Sequence, residues 1–321
     1  MSCLVFVESV DGAVSEVSTE TLTFARALDG PVDALVVGDA GPLLGELGAY
    51  GVARVFQAGG EGFEAFAPSA WAAAVVAAVQ AAGSSAVIAG GSPRGNEIMA
   101  HVAARQDVLM AANVVQIEQA APLQVSRQVF GGAALEVMQL SDSLGVLSVA
   151  GHACAPAPAD AATNPEVHDV SVSLSDHDLA VRVARTEAGV PDESGNLKSA
   201  KVVVGAGRGA GSADAFGELE DLTELLGASL GVSRVVTSLG WRPHHEQVGQ
   251  TGSRISPDLY IPCGISGAIQ HWAGCSSAKT ILAINSDPDA PMVTRAHYAV
   301  IGDMHEIVPA INEEIRRRAS V

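Results

Sequence analysis

Residues 259–291 read LYIPCGISGAIQHWAGCSSAKTILAINSDPDAP, and the order of apolar runs and small residues in this stretch decides the fold. "LYIPCG" reads as a short buried strand, "SGAIQHWAGC" as a helix, and "TILAINS" as a second strand. Strand, helix and strand joined by short links make a parallel pair covered by its crossover. Gly264, Ser266, Gly267, Gln270 and His271 crowd the turn after the first strand. With Ser266 as N-cap, Ser266, Gly267 and Ala268 leave the first helical amides open to an anion. Gln270 and His271, one turn on, can reach a ring system lying across the same end. The pattern describes a site for phosphate joined to a heterocycle.

The preceding stretch repeats the alternation. "KVVVGAGRGAGSADAFGELEDLTELLGA" (201–228) is a strand, a Gly-rich turn and a helix. Its "GAGRGAG" satisfies G-x-G-x-x-A through Gly205, Gly207 and Ala210, with Glu224 19 residues past Gly205. Two readings stay open: a tight structural turn, or a dinucleotide fingerprint in which Arg208 clamps a pyrophosphate. "SRVVTS" (233–238) reads as a strand, and Arg234 at its start is either a solvated or ion-paired residue or a ligand contact. The loop "QVGQTGS" (247–253) sets Gln250 and Thr251 between glycines, free to donate and accept hydrogen bonds. His244, His245 and Glu246 are adjacent and lack the spacing of a metal site. A hydrolase using Ser266 and His271 would need a G-x-S-x-G elbow, which "GISGA" does not form. The strand "YAVIGD" and the helix "MHEIVPAINEEIRRRASV" complete this half, with an Arg cluster at the negative end of the helix dipole.

Toward the N-terminus, "CLVFVE", "VDALVVG", "VARVFQAG" and "SAVIAGG" are strands. They alternate with the helices "STETLTFARALDG" (N-cap Ser18 or Thr19), "GPLLGELGAYG", "PSAWAAAVVAAVQAAG" and "SPRGNEIMAHVAARQD". The signature is a parallel sheet covered on both faces. From about 113 to 188 the runs "NVVQIEQ", "LQVSRQVFGG", "ALEVMQL", "LGVLSVA" and "DVSVSLS" are short and β-type, and an antiparallel extension of that sheet accounts for them. "TEAGVPDESGNLKSA" (186–200) is polar and aperiodic and marks the boundary between domains at 1–190 and 191–321.

At 48% hydrophobic and 17% charged residues, the chain of 321 can bury substantial cores. A net charge of −18 opposes nucleic-acid binding, which needs clustered Lys and Arg. The acidity serves solubility or steers a basic partner protein. Cys3, Cys154, Cys263 and Cys275 form no CxxC pair, as in a reduced intracellular protein. The N-terminus lacks a basic n-region and no apolar run reaches about 18 residues. These features predict a soluble, cytoplasmic protein without membrane insertion.

The segment "QVGQTGSRISPDLYIPCGISGAIQHWAGCSSAKTILAINSDPDAPM", with "GAGRG", "GVSR" and the later "GD", resembles the α-subunit of electron-transfer flavoproteins, the FAD-binding half of an αβ heterodimer. The similarity is dense over about 201–308 and looser at "LVFVE" and "GGSPRGNEIMAHVAARQD". It implies an α/β fold: an N-terminal parallel-sheet domain with a β-rich extension, plus a C-terminal Rossmann-like FAD-binding domain. It implies one extended FAD facing the β-subunit, with Arg208 near the pyrophosphate and adenosine side. Ser233 and Arg234 match the pair whose Arg lies over the flavin ring. Val248, Gly249, Gln250 and Thr251 match the loop at the isoalloxazine, with the Thr hydroxyl near N5. Ser266, Gly267, Ala268, Ile269, Gln270 and His271 match the phosphate-holding segment, with His271 near O2. Asn285, Asp303 and Met304 match the ribityl–adenosine end.

The resemblance also implies electron carriage without bond-making chemistry on a substrate. Electrons would pass from acyl-CoA or other flavin dehydrogenases to a membrane quinone oxidoreductase, with AMP or a second FAD in the β-subunit. An electron-bifurcating relative using NADH and a non-redox nucleotide-binding module are the alternatives. The sequence departs from the family at Ala206 (usually Gly), at Ser253 and Ser286 (usually Lys), at Cys263 (usually small and apolar) and at Met304-His305 (usually Leu-Phe). Losing two Lys implies a less positive cofactor face.

Overall fold

The computed structural model describes residues 1–132, 134–151, 153–186, 197 and 200–319. The expected linker at 186–200 therefore lies largely outside the described residues. The chain forms two compact units, one comprising Met1–Phe130 and Ala134–Glu187, the other including Ala188–Val321.

The first unit begins with β1 (Cys3–Val7), a small antiparallel ribbon of β2 (Ser9–Val10) and β3 (Ala13–Val14), and α1 (Glu16–Ala25). It continues with β4 (Val32–Val37), α2 (Leu44–Ala49), β5 (Arg54–Ala58), α3 (Pro68–Ala82), β6 (Ala86–Gly90) and α4 (Pro93–Gln106). Then follow β7 (Met110–Ala120), β8 (Leu123–Val129), β9 (Ala134–Leu140), β10 (Gly145–Val149) and β11 (Glu166–Asp169). The nine-stranded sheet runs β11-β5-β4-β1-β6-β10-β7-β8-β9. Its central strands are parallel and buried on both faces, which is why they read as unbroken apolar runs. In β1, Cys3, Val5 and Val7 enter one core while Leu4 and Phe6 enter the other.

Three expectations need correction. The helix α1 starts at Glu16 with Ser15 in the N-cap position; Ser18 instead accepts the Glu8 amide hydrogen at 2.8 Å. Only β7, β8 and β9 form the antiparallel extension. The run "LGVLSVA" yields β10, which is fully buried and parallel between β6 and β7. The last expected strand, "DVSVSLS", overlaps β11 only at Asp169; β11 itself is "EVHD", parallel to β5 at the far edge.

The second unit contains β12 (Val202–Ala206), α5 (Gly217–Leu225), β13 (Ser229–Val232), α6 (Arg234–Ser238) and β14 (Leu259–Cys263). It ends with α7 (Ile269–Cys275), β15 (Thr280–Asn285), α8 (Pro291–Arg295), β16 (Tyr298–Ile301) and α9 (Met304–Ala319). All five strands are parallel in the order β13-β12-β14-β15-β16. Direction reverses at β12, between β13 and β14, so the carboxyl ends of these strands border a crevice. In open α/β sheets that switch point is where ligands bind. The expected strand "SRVVTS" is instead α6, entered from Ser233 (φ −76°, ψ 155°), and the strand is the preceding "SLGV". No helix among the described residues is long and apolar enough to cross a membrane.

Candidate functional site

A cleft of about 570 Å³ opens where β12, β13, β14 and β15 end in the second unit. Its floor is backbone. Gly207 N–H donates to the Cys263 carbonyl at 2.9 Å and Gly209 N–H to the Gly264 carbonyl at 3.2 Å. Gly264 has φ +60°, and a Cβ there would sit 2.7 Å from Gly209 Cα and 2.8 Å from Met304 Sδ. A Cβ on Gly207 would collide with the Gly264 carbonyl. Three glycines thus let the two strand-end turns lie against each other. The Gly-rich turn does not open a long helix: Arg208–Ala210 is one 3₁₀ turn, and α5 begins only at Gly217 after a second short turn. Its sequence matches the dinucleotide fingerprint, but the helix N-terminus that the fingerprint requires is displaced.

The loop after α6 forms one wall. Thr237 Oγ1 donates to Gln247 Oε1 at 2.8 Å, and Gln247 Nε2 donates to Thr251 Oγ1 at 2.9 Å. With its lone pair engaged from behind, the Thr251 hydroxyl keeps its hydrogen for another partner. Gly249 (φ +142°) lies against α7, and Gln250 N–H donates to the Gln270 carbonyl at 2.7 Å.

Ser266 is not the N-cap of α7. Ala268 holds that position, and Ser266 is exposed with its carbonyl accepting from Met292 N–H at 3.1 Å. Gly267 (φ +80°), pressed on the Met292 backbone, interrupts helical geometry before it can start at Ser266. Asn285 fastens this turn, its Nδ2 donating to the Ile265 carbonyl at 2.9 Å while its Oδ1 accepts from Asp287 N–H at 3.0 Å.

His271 is buried, with Nε2 2.8 Å from the Tyr260 hydroxyl. Burial pushes its pKa down from 6.5 to about 4; the Val248 carbonyl opposes this weakly without a well-formed hydrogen bond to Nδ1. Burial thus favours the neutral imidazole over the charged one. Among the described residues, His271 Nδ1 and Ser233 Oγ are buried without hydrogen-bond partners, and both residues line the cleft. Buried polar atoms are rarely left unpaired unless a ligand or water completes them. Arg208 and Arg234 are exposed on the cleft wall and form no ion pair among the described residues.

Of the expected site residues, the cleft gathers Arg208, Ser233, Arg234, Val248, Gly249, Gln250, Thr251, Ser266, Gly267, Ala268, Gln270, His271 and Asn285. Ile269 is 56% exposed and does not line it. Met304 is buried in the core under Gly264, and Asp303 is exposed at the start of α9 with Oδ1 accepting from His305 N–H. The cleft adds Gly209, Val235, Gln247, Gly264, Ile265, Asp287 and Ala290. Gln247 and Asp287 carry the polar chemistry among these. Their neighbours in "QVGQTG" and "NSDPD" were the available signal, because in an irregular loop each residue beside a contact is itself near the ligand.

A switch-point crevice with a glycine floor, two guanidinium groups that form no ion pair among the described residues, and buried polar atoms without partners there defines an α/β domain for an anionic, ring-bearing cofactor. The family model described as the electron transfer flavoprotein domain matches residues 3–175. The model described as the electron transfer flavoprotein FAD-binding domain matches residues 196–276. An electron transfer flavoprotein subunit alpha from Mycobacterium leprae (strain TN) is 35% identical over 319 residues, covering 98% of each chain. That of Bacillus subtilis (strain 168) is 30% identical, covering 98% of this chain and 97% of its own. That of Syntrophomonas wolfei is 32% identical over 325 residues, covering 98% of both. The chain belongs to the electron transfer flavoprotein α-subunit family.

Proposed function

We propose that this chain holds FAD in the cleft of its second unit, as one half of a heterodimer with a β-subunit. In this reading it carries electrons from flavin dehydrogenases, such as acyl-CoA dehydrogenases, toward a membrane quinone oxidoreductase. The β-subunit would hold AMP or a second FAD. The observation that carries the reading is a pair of buried polar atoms without partners among the described residues, Ser233 Oγ and His271 Nδ1, on residues lining the same cleft as two arginines that form no ion pair there. These residues fit the cofactor, since an isoalloxazine offers carbonyl and ring-nitrogen acceptors and a pyrophosphate offers anionic oxygens.

FAD, when bound, supplies the reversible uptake and release of electrons. The chain's own groups bind and tune. Arg208 would meet the pyrophosphate, the turn through Ser266–Ala268 would supply amides, and Thr251 and His271 would donate to the ring. Arg234 lays a fixed positive charge where reduction adds a negative one. Asn285 would border the adenosine end, with Asp303 and Met304 at the start of α9 beyond it.

The chain co-expressed with its β-subunit should be yellow, with an absorption spectrum typical of a flavin and about one FAD per heterodimer. A stable, colourless complex would remove the reading.

Replacing Arg234 by Ala should lower the flavin's reduction potential while leaving FAD bound through its phosphates. An exposed charge pair is worth up to about 1 kcal/mol, or on the order of 40 mV for one electron; a covering partner would increase that. Lys should restore only part, because a point ammonium does not stack on a ring as a guanidinium does. Equal potentials in Arg234→Ala, Arg234→Lys and wild type would take Arg234 out of the site.

A further inference from the structure

Tyr260 lies on β14, wholly buried, with its ring stacked on His271 at 6.2 Å between centroids and 23° between planes. Its hydroxyl fits against Gly205, where a Cβ would meet the oxygen at 2.5 Å. The sole hydrogen bond of that hydroxyl among the described residues is the 2.8 Å contact with His271 Nε2. This contact admits two arrangements. If Nε2 carried the imidazole proton and donated to the tyrosine oxygen, the buried phenolic hydrogen would have no acceptor. Nδ1 would then be a second buried group without a partner. If the phenol donates to Nε2, the neutral ring's proton must sit on Nδ1, which has the Val248 carbonyl near the ring but completes no hydrogen bond, and only Nδ1 awaits a partner among the described residues. Buried polar groups are paired wherever the fold permits, so the arrangement with a single orphan prevails.

We propose that Tyr260 is a positioning residue that donates to His271 Nε2 and so fixes the imidazole proton on Nδ1, where it serves as a hydrogen-bond donor to a bound cofactor carbonyl. The cofactor part of this inference rests on the FAD reading above; the tautomer part rests on the contacts alone. The other tautomer would turn a lone pair toward that carbonyl, and acceptor would face acceptor. Gly205 is part of the device, since any side chain there would displace the hydroxyl. The glycine that opens the "GAGRGAG" match therefore serves Tyr260 in this fold.

The test uses the heterodimer labelled with ¹⁵N-histidine, with His271 assigned by comparison with His271→Gln. Two-bond ¹H–¹⁵N correlation spectra at neutral pH should show His271 as one neutral tautomer, protonated at Nδ1. Tyr260→Phe keeps the stacked ring and removes the donor. It should shift His271 away from the pure Nδ1–H pattern and change the flavin's reduction potential, with FAD content retained. A wild-type His271 protonated at Nε2 would overturn the proposal, as would an unaltered Nδ1–H pattern in Tyr260→Phe. A changed tautomer beside an unchanged potential would overturn the donor's role toward the cofactor. If Tyr260→Phe does not fold, the wild-type spectrum alone decides the tautomer. If the complex carries no flavin, the FAD reading fails while the tautomer result stands.

Discussion

A Gly264→Ala variant is expected to lose about 3 kcal/mol of stability and to retain no FAD. The residue sits at φ +60°, a conformation that costs a residue with a Cβ roughly 1–2 kcal/mol. The new methyl would lie 2.7 Å from Gly209 Cα and 2.8 Å from Met304 Sδ. The first is backbone and cannot swing aside, and overpacking of this kind costs about 1–3 kcal/mol. Relief would come from parting the two turns that make the cleft floor, so binding should fail with stability. Gly227→Ala is the control, because Gly227 has φ +57° and nothing within 4 Å of its would-be Cβ. It should show the backbone cost alone, about 1–2 kcal/mol, with normal flavin content. Denaturant unfolding and FAD absorbance of the two variants separate the effects. Equal losses in both, or full colour in Gly264→Ala, would dismiss the crowded-floor account.

The second large effect is a pH dependence carried by His271. Burial lowers its pKa from 6.5 to about 4, so between those values the unfolded chain takes up a proton that the folded chain refuses. Stability from this residue is therefore fully present above pH 6.5 and declines as the pH falls toward 4. The decline amounts to about 3 kcal/mol over that window. The check is the difference between wild type and His271→Gln, since other groups titrate in both. Wild type should lose more stability than His271→Gln on going from pH 6.5 to pH 4. Parallel pH profiles would mean that His271 protonates freely in the folded state.

Much of this architecture was legible because parallel strands buried on both faces leave apolar runs such as "CLVFV" and "TILAIN" that admit few other readings. The site was legible where small residues cluster past a strand, at Gly264–His271 and in "QVGQTG". Two kinds of error have physical causes. The run "RVVTS" looked like a strand because β-branched residues favour one, yet tertiary packing of Val236 in the core imposed a helix. Ser266 looked like a cap because serine commonly is one, but Gly267, held against the Met292 backbone, postponed the helix to Ile269. The placement of β10 between β6 and β7 depends on contacts far apart in sequence, and local periodicity carries no information about them. Met304 matched by position, but as a buried side chain it meets the underside of the floor rather than the cleft.

The glycine floor has a consequence for how such a carrier can change. The shape of the cleft floor depends on main-chain contacts among Gly207, Gly209 and Gly264, which side chains on the walls do not make. On the FAD reading proposed above, the cofactor's potential would depend on a few groups standing on the walls, Arg234 and His271 among them. Floor and wall would then be separable, and replacements along the wall would retune the cofactor without reshaping the floor. Val235 and Gln250, which also line the cleft, are places where such retuning would leave its mark.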